Sequence, residues 1–242
     1  MNLDARHHAN QRGAALLILV AVLGLGAASL LIGVFGKNTQ QAQRERKTLA
    51  TLVQAREALL GFAAVNGRLP RPAASSLDGR EQSAACRSEA DCSGFLPWVT
   101  LGIDGADSWG KLLRYSVTPA MTVAPIAALS AVATKTVHSR DERGRLFLLA
   151  GYTVCGLSSQ CLPFVVFSQG RNNVGVAANG MTQANMAQGN LDEAANQQAS
   201  VRFISRMASD DTAQPGGTFD DMLVWSTLPA LYQRMRAARN LP

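Results

Sequence analysis

Residues 14–35 read AALLILVAVLGLGAASLLIGVF, 22 positions without a charge and with Ser29 as the one polar side chain. As a helix this run is about 33 Å long, enough to cross a hydrocarbon core of about 30 Å. A soluble core helix of six turns carries a polar stripe, and this run has none. No second run of that length follows. A cleaved secretory signal is the competing reading, because Ala27, Ala28 and Ser29 are small enough for a processing site. Residues 30–35 stay apolar beyond that point, which favours a span retained in the protein.

The charge follows the same feature. The 242-residue chain carries a net +6. Residues 1–47 hold six basic residues against two acidic ones, a net of +4. Arg234, Arg236 and Arg239 add three more near the C-terminus, so residues 48–227 sum to −1. A basic balance placed this way speaks for membrane insertion rather than for nucleic acid. The charged fraction, 17%, is too low for a disordered polyelectrolyte. The flanking count alone, two basic residues before the span and four after it, would place the C-terminal part in the cytoplasm.

The four cysteines argue for the opposite side. Cys86 and Cys92 enclose five residues, and Cys155 and Cys161 enclose five more. Three connectivities are open to four cysteines, and local pairing is the natural one. The spacing is wider than the usual zinc pattern, and no histidine lies near either pair. Disulfides require an oxidising compartment, so the part beyond residue 37 is expected outside the cytoplasm.

Positions 49, 52, 53, 56, 59, 60 and 63 are apolar except Arg56, which predicts an amphipathic helix face. Asn66-Gly67 and then Pro70 end it. One helix is therefore expected over residues 14–65, about 78 Å long by helical rise. Strands are expected over 112–118, 145–150, 162–168, 201–205 and 221–226, with another over 152–155 as a weaker case. Residues 119–134 are ambiguous, and 171–200 read as an exposed loop with room for a short helix. Leu228, Leu231, Tyr232 and Met235 share one face of a C-terminal helix. The sum is an α+β chain.

The order of these parts resembles type IV pilin-like proteins and the pseudopilins of type II secretion. The chain has a short basic leader, Arg12-Gly13, an uncharged helix with an amphipathic continuation, and then a sheet. AREALLGFAAVNGRLP (55–70) resembles the helix-to-loop exit of pseudopilins, and DSWGKLLRYSV (107–117) their Asp-x-Trp-Gly turn before the first strand. FVVFSQGRNN (164–173) and FDDMLVW (219–225) resemble later strands of that group. The resemblance implies a pilin-like fold, with a long N-terminal helix packed on an antiparallel sheet and a short C-terminal helix. It divides the chain into a cytoplasmic leader (1–13), a transmembrane half-helix (14–35), an amphipathic periplasmic half-helix (36–66) and a periplasmic domain (67–242). Prepilin peptidase would cut between Gly13 and Ala14, leaving a single-pass bacterial inner-membrane protein with its C-terminal domain in the periplasm.

The partners implied are other pilin or pseudopilin subunits, the peptidase, an inner-membrane assembly platform and the lipid bilayer. No nucleic acid and no cofactor are expected. One departure matters. Most pilins carry a glutamate at the fifth mature position, and here that position is Ile18. A subunit without that carboxylate suits a minor, tip-like or initiating role in a type II secretion or type IV pilus machine. The alternative is a membrane-tethered periplasmic protein that binds DNA or a surface without assembling.

No enzyme is expected. His7 and His8 lie in the leader, and His138 stands in a charged stretch read as a loop. Ser168 lacks the first glycine of a nucleophile elbow, since Val166 occupies that place. Asp104 and Asp107 flank a glycine turn and are weak calcium candidates, as are the pairs Asp210-Asp211 and Asp220-Asp221. None of these segments follows an EF-hand pattern, and turn formation and strand capping are the favoured account of all of them.

Overall fold

The computed structural model describes residues 9–240, with side chains described at 16–23 and 39–240. Most of the expected leader, residues 1–8, lies outside the described residues. A single helix, α1 (Ala9–Asn66), contains Gly13 and Ala14 and begins before the expected start. It ends where Asn66-Gly67 predicts, with Gly67 at φ 69°. The chain divides into two compact units, one ending at Arg46 and one beginning at Lys47.

In the first unit the described side chains of 16–23 face outward. Leu16, Leu17, Ile18, Leu19, Val20, Val22 and Leu23 are each more than half exposed. Among the described residues of the unit, nothing gives 16–23 a buried face.

The second unit contains the rest of α1, and here the sequence pattern needs correcting. The buried stripe is Thr48, Leu52, Ala55, Leu59 and Ala63, with Leu60 beside it. Leu49 and Val53, expected inside, are 47% and 38% exposed. The buried face is therefore rotated away from 49/53/56 towards 48/55. Spacings of three and four recur in both sets, so periodicity alone could not separate them. The segment Thr39–Asn66 is itself long and apolar enough to pass as a span, but a third of its most apolar window is buried. Its core contacts identify that part as a domain helix.

Four strands form an antiparallel sheet in the order β1-β2-β5-β9: β1 (Ser93–Phe95), β2 (Arg114–Val117), β5 (Phe164–Ser168) and β9 (Met222–Trp225). β5 is buried at every position, and its alternation explains why. Phe164 and Val166 face one core with Leu52, Leu59, Tyr115 and Leu231. Val165 and Phe167 face a second core with Val137, Leu162 and Phe203. A strand covered on both faces reads as a continuous apolar run.

The second core is closed by another sheet, ordered β4-β3-β8: β3 (Thr136–Arg140), β4 (Leu146–Ala150) and β8 (Arg202–Ile204). β4 is antiparallel to β3, but β8 is parallel to it, so the expectation of an antiparallel sheet holds for the first sheet only. A short α2 (Trp98–Leu101) follows β1. β6 (Gly175–Val176) and β7 (Thr182–Gln183) form a small hairpin, and α3 (Leu191–Gln198) follows it.

The helix expected at the C-terminus is α4 (Leu228–Ala237). Thr227 caps it by accepting from Ala230 N, and Leu228, Leu231 and Met235 are buried. Residues 119–134 begin with a 3-10 turn, Pro119–Thr122. Two expectations fail here. Residues 152–155 form no strand, because that segment closes the Cys155–Cys161 loop. His138 lies on β3 and not in a loop.

Candidate functional site

The residues singled out by sequence fall in separate places. Gly13 and Ala14 lie within α1, upstream of the exposed apolar run. Cys86 pairs with Cys92, and Cys155 with Cys161. The first bridge is part of the main core; the second clips the loop after β4. Cys86, Cys92 and Cys161 are almost fully buried, whereas Cys155 is half-buried.

Asp104 is exposed beside an open cavity of about 380 Å³ that Lys47, Trp98 and Asp107 also line. Asp107 is buried, and its oxygens are committed. Oδ1 accepts from Trp109 N and Lys111 N, both at 2.9 Å, and Oδ2 accepts from Ser168 Oγ at 2.6 Å. Burial pushes the Asp107 carboxyl up, against these bonds. Ser168 is itself fully buried and also accepts from Gly170 N, which makes it a loop anchor. Among the described residues, Asp104 and Asp107 do not meet a third acidic ligand.

The acidic convergence lies next door. Glu193, Asp220 and Asp221 bring carboxylate oxygens within 4.8 Å of one another. Glu193 sits in the first turn of α3, and the two aspartates immediately precede β9. Each carboxylate is held through at least one oxygen by named donors, while Asp220 Oδ1 is buried without a partner. Glu193 accepts from Asn190 Nδ2 at 2.6 Å and from Asp220 N at 2.5 Å. Asp221 accepts from Asn196 Nδ2 at 2.9 Å and Asn173 Nδ2 at 3.4 Å. Asp220 accepts from Arg171 N and Asn172 N.

One buried cation faces this group. Lys111 is 2% exposed, and its Nζ donates to the carbonyls of Gly170, Arg171 and Asn173. Burial lowers the Lys111 ammonium, while the charges of Asp107, Asp220, Asp221 and Glu193 pull it back up. Burial pushes Glu193 up to about 7, with the Asp220 charge adding to it. Burial, then the charge of Glu193, pushes Asp221 well above the carboxylate range.

Chemically this node ties the turn after β5, α3 and the start of β9 to one another. It is a polar core whose buried groups are hydrogen-bonded apart from Asp220 Oδ1, and an unmet buried oxygen of that kind carries a desolvation cost. Asp220-Asp221 stand out in the sequence as an acidic pair, but the composition of 171–200 predicts an exposed loop for Asn173, Asn190, Glu193 and Asn196. In fact all four are buried. Asn and Gln richness is the composition of loops, and it concealed amides that serve as donors to buried acids.

No protein-family model, no curated protein and no solved structure matches this chain.

Proposed function

We propose that this chain is a non-enzymatic structural subunit, pilin- or pseudopilin-like, of an inner-membrane filament machine of the type II secretion or type IV pilus kind. One observation carries the reading. A single helix has an uncharged stretch whose described side chains, at 16–23, are exposed, and its last turns line the core of an α+β domain. Seven large apolar side chains, each gaining about 1.5–3 kcal/mol on full burial and each about two-thirds exposed, leave about 6–13 kcal/mol to be recovered from lipid or from other helices. A lipid-embedded helix that transfers to helix–helix contacts on assembly meets that demand.

The two disulfides support a domain held in an oxidising space, here the periplasm. Ile18 in place of the usual glutamate supports a minor, tip-like place. A carboxylate there would pair with a neighbour's N-terminal amine, and this subunit brings none. Prepilin peptidase would process the chain between Gly13 and Ala14.

The deciding measurement is the N-terminus of the protein purified from membranes. The reading expects Ala14, methylated on its amine, and recovery with other small pilin-like subunits after mild cross-linking. An intact Met1, or a start near Leu30, overturns it.

A further inference from the structure

We propose that the ring closed by Cys86 and Cys92 is an oxidation-set latch, which presents Glu89 as the counter-charge of the buried Lys135 and so holds the second sheet, β4-β3-β8, against the first. The inference rests on contacts within the domain and not on the filament reading.

Lys135 stands immediately before β3, and its side chain is fully buried. Its backbone is held beside the entry to β5: its N–H donates to Leu162 O at 3.1 Å, and its carbonyl accepts from Leu162 N at 2.9 Å. An ammonium in such a place needs an anion, because an unpaired buried charge is costly. Glu89 supplies it, with Lys135 Nζ donating to Glu89 Oε2. Burial lowers the Lys135 ammonium, and among the described residues Glu89 is the one carboxylate that raises it again. Thr134 Oγ1 donates to the other Glu89 oxygen at 2.7 Å.

The same ammonium reaches further. Lys135 Nζ donates to Ser200 O at 2.6 Å, and Ser116 Oγ, on β2, donates to that carbonyl at 2.9 Å. Ser200 lies just before β8. Lys135 therefore fastens the start of β3 to the start of β8 and, through Ser200, to the first sheet.

The ring places Glu89. Its two cysteines are 4% and 0% exposed and belong to the main core. Cys92 N donates to Ser88 O at 3.0 Å, and Cys92 O accepts from Val117 N at 3.0 Å, which ties the ring to β2. Between the cysteines, Arg87, Ser88, Ala90 and Asp91 are exposed. The Glu89 side chain is 27% exposed and has a route to water, whereas that of Lys135 has none. With the ring open the carboxylate is free to leave and the ammonium is not, so the second sheet must part for Lys135 to be solvated. Closing the ring is thiol–disulfide exchange. Two thiols give up two hydrogens and two electrons to an external disulfide, which leaves as two thiols. Both cysteines are buried once the ring has docked, so the exchange belongs to the undocked loop and the latch then stays set.

The test is hydrogen–deuterium exchange read by mass spectrometry on the full chain in detergent micelles. Cys86→Ala with Cys92→Ala opens the ring and leaves Glu89 in the chain. Peptides covering 136–140 and 202–204 should then exchange about tenfold faster or more, with a smaller change at 114–117 and 222–225. Glu89→Gln, with the bridge intact, should loosen the same two segments, and adding the alanine pair to it should change little. Lys135→Met removes the charge that needs a partner. In that background the alanine pair should no longer single out the second sheet. Equal loosening of both sheets by the alanine pair overturns the proposal, since that is the loss of a cross-link alone. So does unchanged protection at 136–140 in Glu89→Gln. Selective loosening that persists in Lys135→Met overturns it as well.

Discussion

The Glu193 carboxylate accepts the backbone N–H of Asp220 at 2.5 Å, and the two side chains bring their acidic oxygens within 4.8 Å. Neither acid can lose its proton without placing charge beside the other. Burial lifts both, Glu193 to about 7. A carboxyl raised in the folded state holds its proton more tightly there than in the unfolded chain. Its contribution to stability is therefore present at low pH and lost as pH rises through about 7. Thermal unfolding followed by circular dichroism should show a higher Tm at pH 5.5 than at pH 8. From 4.5 to about 7 the linkage amounts to at most about 3 kcal/mol. Glu193→Gln should flatten the profile. A Tm that climbs with pH across this window would count against the assignment.

Lys111 is the positive member of that group. Replacing one partner of a buried ionic cluster leaves the others uncompensated, at a cost of about 3–5 kcal/mol. Lys111→Met keeps much of the packing of the stem, where Gly175 lies so close that an added Cβ would meet Lys111 Cδ at 2.5 Å. It should lower stability strongly at pH 8 and distinctly less at pH 5.5, where the carboxyls carry protons. An equal loss at both pH values would mean that the ammonium acts through its three carbonyl bonds instead.

The two sites differ in how far they were legible. The apolar run of 14–35 and the strands β2, β5 and β9 declare themselves through lack of charge or through short apolar runs, which burial on one or both faces requires. The acidic node does not. Its members come from 111, 173, 190–196 and 220–221, and only the fold brings them together. Asn196 is the clearest case. It reads as a loop amide, yet it bonds both Ile204 and Asp221. On α1 the pattern gave the helix but not its rotation, because a stripe containing Thr48 and Ala55 is less apolar than one containing Leu49 and Val53. The structure chose the smaller residues, with Thr48 Oγ1 accepting from Ser108 N at 3.1 Å.

That rotation has a measurable consequence. Leu52 and Leu59 are fully buried in the main core, whereas Leu49 is 47% exposed. Leu52→Ala and Leu59→Ala should each cost about 2–5 kcal/mol by lost transfer energy and residual cavity. Leu49→Ala, near the surface, should stay within about 0.5–1 kcal/mol. Urea unfolding of the three variants checks this, and a Leu49→Ala loss as large as the others would restore the face that periodicity suggested.

The two disulfides close rings of the same size, so the chain-entropy contribution of each is the same, about 2 kcal/mol. Their surroundings are not. Cys86 and Cys92 pack within the main core near Leu96 and Tyr115, and a pair of smaller side chains there removes buried sulfur as well as the cross-link. In the second bridge Cys161 is also buried, at 1% exposed, but Cys155 is half-buried and Tyr152 and Val154 beside it are open to solvent, so less packed volume surrounds it. Cys86→Ala with Cys92→Ala should therefore cost more than Cys155→Ala with Cys161→Ala, the difference being about 1–2 kcal/mol from lost packing. Guanidinium unfolding of the two double variants measures the gap. If the second pair costs as much as the first or more, the loop after β4 contributes to the fold through contacts beyond the bridge, and the proposed order of the two disulfides fails.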